Sequence, residues 1–241
     1  MMDGTAIQEL KQIIEQNSVI EIDGKKFAPR SYGIVRNVDC VQPILLTTLK
    51  SLAAFVIENP QGLDLEGAIV KIDEQLNVHL VSRPRDEDKQ STLYIQVANP
   101  VSPFRFGVHY GSEAFSIALK TLFVDDEQAH DLWETASTIQ IDEGVTFVDD
   151  GMSQRIIVQK GTSAASKGSK TIPTITMLKP YRIFPECEQV ESPFLVRLKG
   201  DKDTGASVAL YETDGGIWKI RAYGIIADKL REYGLMLPIY Y

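Results

Sequence analysis

The chain has 241 residues, 44% of them hydrophobic and 24% charged, a balance typical of globular domains that argues against disordered and fibrous classes. Its net charge of −8 opposes nonspecific attraction to nucleic-acid backbones and to anionic membranes, so either contact would need a local basic patch. No apolar run approaches the roughly 20 residues that cross a bilayer, and the start MMDGTAIQELKQIIEQ is amphipathic and acidic rather than a secretion signal, so the expected location is the cytoplasm with no membrane partner.

Thr5-Ala6-Ile7-Gln8 has the form of a capping box, and Ile7, Leu10 and Ile14 then share a helical face, predicting a helix over 5–16. SVIEIDGKKFAPR follows as a hairpin around Asp23-Gly24. Pro43 suits the first turn of a second helix, in which Leu45, Leu46, Leu49, Leu52, Ala53 and Val56 recur at helical spacing up to Asn59-Pro60. Strands over 67–72, 76–82 and 92–97 then form an antiparallel meander.

The prolines and glycines of NPVSPFRFGVHYG exclude a long regular element. Ser112 can cap a helix with the stripe Phe115, Ala118, Leu119, Leu122 and Phe123. Asp125-x-x-Gln128 can cap another with Ala129, Leu132, Trp133 and Ala136 inward, the two making a helical hairpin. From residue 139 the pattern is strand: VTFV, QRIIVQ, TIPTITML, FLVRLK and ASVALYE. A last helix over about 222–233 precedes the apolar tail LMLPIYY. These elements predict a single compact α+β unit, mainly antiparallel sheet with about five helices. Within it, residues 1–38 form a helix-and-hairpin arm and residues 39–241 the main domain.

The order and spacing of Asp149-Asp150-Gly151 with Gln154, Pro180-Tyr181-Arg182 with Phe184 to Glu186, Ser192-Pro193-Phe194, and Asp214-Gly215-Gly216 with Trp218 carry a resemblance. In these the chain resembles the YfdQ-like family of uncharacterised proteins encoded by tailed phages and prophages, over roughly residues 40–235 and most firmly in the last hundred. The resemblance implies a setting rather than a chemistry: early infection in the cytoplasm of a bacterial host, near replication and recombination functions, with host takeover, DNA metabolism and defence evasion all open. It brings no catalytic residues with it.

Asp149-Asp150-Gly151 falls between two strands, where Asp-Gly favours a tight turn. The alternative is a divalent cation held by these carboxylates with Asp142, Glu143 and Glu186, but no nuclease-type acidic motif with a companion lysine is present. Arg182 and Glu186 lie in PYRIFPECE, where an internal ion pair is the plainer reading and capture of a phosphate-bearing ligand the sharper one. Lys160, Lys167 and Lys170, with Lys179, make a locally basic loop that reads as solvated rather than as a DNA finger. His79, His109 and His130 lack metal-ligand spacing. Cys40 and Cys187 stand far apart and read as small buried residues.

No nucleophile elbow, phosphate-binding loop or dinucleotide fingerprint is present. The expectation is therefore a non-enzymatic, cofactor-free phage or prophage accessory protein that self-assembles into a homo-oligomer, with a ring, cage or shell among its forms. The alternatives are a metal-dependent factor in phage DNA replication or recombination, and a counter-defence protein binding a nucleotide signal or a host protein.

Overall fold

Two short strands, β1 (Ile20–Ile22) and β2 (Lys25–Phe27), pair antiparallel with Ile22 opposite Lys25 and Ile20 opposite Phe27, and the Asp23-Gly24 turn expected between them lies outside the described residues. The computed structural model describes residues 8, 20–22, 25–27, 42–86, 89–138, 145–149, 154–158, 169–172, 174–201 and 205–241. The chain divides into two compact units, Met1–Gln42 and Pro43–Tyr241. Gln8 is helical, and the rest of the helix expected over 5–16 lies outside the described residues. Four helices are described, and none among the described residues is long and apolar enough to cross a membrane.

In the second unit, the helix expected from Pro43 begins later. Ile44–Leu46 is a strand, β3, and the helix α1 is Leu49–Glu58. Thr48 explains the shift: its backbone is extended, at φ −136°, and its hydroxyl accepts from the Ser51 amide at 3.1 Å, so it is the cap and what precedes it cannot be helix. The meander is present as β4 (Ile69–Ile72), β5 (Val78–Val81) and β6 (Leu93–Val97), antiparallel throughout. Its two flanks are parallel, however. β3 pairs with β6, and β14 (Ile239–Tyr240) pairs with β4, giving the order β14-β4-β5-β6-β3. The sheet is thus mixed, and the fold is best stated as mixed helix and sheet.

The helical hairpin forms as α2 (Ser112–Leu122) and α3 (Glu127–Thr138). The cap of α3 is Asp126, whose carboxylate accepts from the Ala129 amide, rather than Asp125. Gln128 instead reaches across to accept from the Met177 amide. The helix pair packs on a second sheet, β11 (Ile175–Leu178), β12 (Ser192–Asp201), β13 (Gly205–Glu212) and β7 (Tyr110–Gly111), in that order. In sequence between α3 and β11, β8 (Val145–Asp149), β9 (Gln154–Val158) and β10 (Ser169–Ile172) make a three-stranded antiparallel sheet. TIPTITML is therefore two strands of different sheets, broken near residue 173.

The last helix, α4 (Ile217–Glu232), starts earlier than its apolar spacing suggests: Gly216 is its cap residue, and the Asp214 carboxylate just before it accepts from amides at the helix start. One carboxylate oxygen accepts from the Gly216 amide at 3.0 Å and the other from Trp218 at 3.2 Å. Asp214-Gly215-Gly216 is thus a helix entry; both glycines take positive φ, 63° and 88°.

Two cores result. In the first, Leu49, Leu52, Val70, Val78, Leu80, Ile95 and Val97 meet Ala222, Ile226 and Leu230 of α4. In the second, Phe115, Phe123, Leu132, Phe194, Val196, Val208 and Leu210 pack around Phe104.

Candidate functional site

Residues 179–191 have no regular structure, yet they are among the most buried in the chain. They leave the second core at Leu178, supply Ile183, Phe184, Cys187 and Val190 to the first, and return to the second at Phe194. A buried irregular segment must satisfy its backbone through side chains. Gln189 does most of this: its Oε1 accepts from the amides of Arg182 and Ile183, while its Nε2 donates to the carbonyls of Phe184 and Cys187. Asn99 donates to the Arg182 carbonyl, and the Tyr181 amide to that of Leu122.

Arg182 stands where the segment crosses between the cores. Its side chain is only 3% exposed, and its guanidinium lies 4.3 Å from the Trp218 ring centre, 4.7 Å from Phe106 and 5.2 Å from Phe194. Trp218 packs on the first core, Phe106 on the second. Nη2 sits 2.9 Å from Glu212 Oε1, a close ion pair without hydrogen-bond alignment, and Nε and Nη1 face aromatic surface instead of oxygen. Burial lowers the guanidinium to about 10, against the pull of Glu212 and Asp214, so it remains a cation at neutral pH.

The carboxylate that meets Arg182 is thus Glu212, not the Glu186 that sequence proximity suggested. Glu186 serves α1 instead, where its Oε1 accepts from the Leu49 and Lys50 amides, at 2.6 and 3.2 Å, at the start of the helix. Beside it, burial and then Glu186 push the Cys187 thiol up to about 12, which leaves it unreactive at neutral pH. A phosphate would have to displace Glu212 and aromatic rings to reach Arg182.

Of the other expected residues, Asp149 ends β8 opposite Gln154 of β9, so the two strands pair directly and residues 150–153 connect them. Asp150 and Gly151 lie outside the described residues, as do Lys160 and Lys167. Lys170 lies in β10 opposite Ile156. Among the described residues no three His, Cys, Asp or Glu side chains gather as a metal-ligand set.

The apolar tail divides into an anchor and a display. Gly234, at φ 89°, ends α4 in a turn whose amides return to Arg231 and, through Leu235, to Leu230. Leu235 then enters the core, the Val70 amide donates to the Pro238 carbonyl, and Ile239 packs against the first core from β14. Other residues of the tail point out: Met236 is 91% exposed, Tyr240 58% and Tyr241 63%. Tyr241 stacks on Tyr223 of α4, ring centres 5.2 Å apart.

No family model, curated protein or solved structure matches this chain.

Proposed function

We propose that this is a phage or prophage accessory protein that acts without catalysis, as a homo-oligomer, in the cytoplasm of the infected bacterium. The observation that carries self-association is the tail. Hydrogen bonds and buried leucine hold it fixed, while Met236, Tyr240 and Tyr241 are held out to solvent. A frayed terminus exposes apolar groups at no structural effort, but here a helix-ending glycine, a core leucine and a sheet edge are arranged to present them. Aromatic and methionine side chains are the types enriched in the centres of protein interfaces. Among the described residues, the Arg182 guanidinium and the Cys187 thiol are both buried in packing. The phage setting rests on the resemblance in residues 149–218.

Light scattering on the purified protein across micromolar concentrations tests this. The expected particle mass is an integer multiple of one chain, and Met236→Glu with Tyr240→Glu lowers it. A mass of one chain at every concentration overturns the proposal.

A further inference from the structure

Resting on that self-associating reading, we propose that two copies of the chain pair through the outward face of α4, antiparallel, about a two-fold axis beside Gly224. The inward face of this helix is already filled by Ala222, Ile226 and Leu230. At 100° per residue the opposite stripe is Ile217, Ile220, Arg221, Gly224, Asp228 and Arg231, and all but the half-buried Gly224 are exposed. Ile217 is 54% and Ile220 66% exposed, two β-branched apolar side chains one turn apart on a face that no other described residue covers.

Gly224 has no reason among the described residues. Its backbone is ordinary helix, and a Cβ placed there would meet nothing within 4 Å. A glycine in mid-helix weakens the helix and normally marks a close approach of another backbone. Among the described residues nothing comes within 4 Å of that Cβ, and a second copy of the chain would supply the approaching backbone.

Charge selects the partner and its direction. Arg221 and Asp228 lie two turns apart on the same stripe, nearly symmetric about Gly224, and among the described residues neither has an ion-pair partner. On one helix a seven-residue separation is about 10 Å, too far for them to pair with each other. In an antiparallel pair of identical helices crossing at Gly224, Arg221 of each copy faces Asp228 of the other, and the contact is made twice, as a two-fold requires. A parallel pair would set like charges together. Tyr241, stacked on Tyr223, ties the exposed tail to the same helix.

The test is charge exchange, read by light scattering and sedimentation at low salt, with thermal melts to confirm folding. Arg221→Asp and Asp228→Arg should each weaken association at least tenfold, and the double variant should restore it. Gly224→Leu, which leaves both charges in place, should block it as well. Wild type that is a single chain at all concentrations overturns this proposal together with the reading it rests on. Wild type that assembles while the single exchanges or Gly224→Leu leave its mass unchanged overturns the α4 contact alone. Failure of the double exchange to restore association overturns the antiparallel two-fold.

Discussion

Glu186 Oε1 stands 2.6 Å from the Leu49 backbone nitrogen, so a carboxylate 137 residues away in sequence completes the start of α1. Two orphan amides and the positive end of the helix dipole converge on that oxygen. Removing it leaves the Leu49 amide without its partner in a part-buried setting. Glu186→Ala should cost about 1–2 kcal/mol, and Glu186→Gln less, because an amide oxygen still accepts but loses the charge. Urea unfolding of the two variants checks the order; equal costs would show that the charge contributes nothing.

Arg182 and Glu212 make a pair whose two halves should respond unequally. Glu212 is 39% exposed and can hydrate when its partner is gone, whereas Arg182 at 3% cannot. Glu212→Gln should therefore destabilise by about 2 kcal/mol, leaving a buried cation with less compensation. Arg182→Met keeps volume between Trp218, Phe106 and Phe194 and should cost under about 1.5 kcal/mol. Denaturation midpoints in the reverse order would mean that the stacked cation itself, rather than the volume it fills, holds the two cores together.

Much of this arrangement was legible where a local period or turn carried the signal. The meander over 69–97, the α2–α3 hairpin and the pairing of β8 with β9 follow from alternation, helical stripes and turn residues. What escaped was decided by partners remote in sequence. Leu45 and Leu46 fit a helix by spacing, but β6 offered a parallel edge and Thr48 a cap, so the helix starts after them. Tyr240 joins a sheet through Lys71, and Arg182 finds Glu212 rather than its neighbour Glu186, because only the packed fold brings those groups close. For α4 a local signal did exist: Asp214 with two glycines is a helix entry as readily as a turn, and Trp218 is its fourth residue on.

Asp73 ties the turn between β4 and β5. Its Oδ1 accepts from the Gln75 and Asn77 amides, and its Oδ2 meets the Asn77 side chain and His79 Nε2 at 2.9 Å each. Burial alone would raise its pKa, but the bonds from His79 and Asn77 outweigh it and hold the carboxyl below its ordinary 3.8. The unfolded chain thus takes up the proton first as pH falls. The stability this group contributes is complete above its ordinary value and is lost as pH drops from there through the folded-state value. Asp73→Asn should flatten that acid limb, measured as urea midpoints between pH 6 and pH 2.5. An unchanged slope would assign acid sensitivity to other carboxylates.

Gly234 links the end of α4 to the displayed tail, and changing it separates two effects. At φ 89° a side chain is strained whatever the space, and its Cβ would come 3.4 Å from Ile57 Cδ1. Gly234→Ala should therefore cost about 1–2 kcal/mol. The strain falls on the turn that sends Leu235 into the core and sets the course of Met236, Tyr240 and Tyr241. The variant should thus lose self-association by more than its stability loss explains, since the tail no longer leaves the helix in the same direction. Melting temperature and oligomer mass measured on the same samples decide it. A lower melting temperature with full wild-type association would show that the course of the tail does not matter to assembly, and would leave the α4 stripe as the surface that counts.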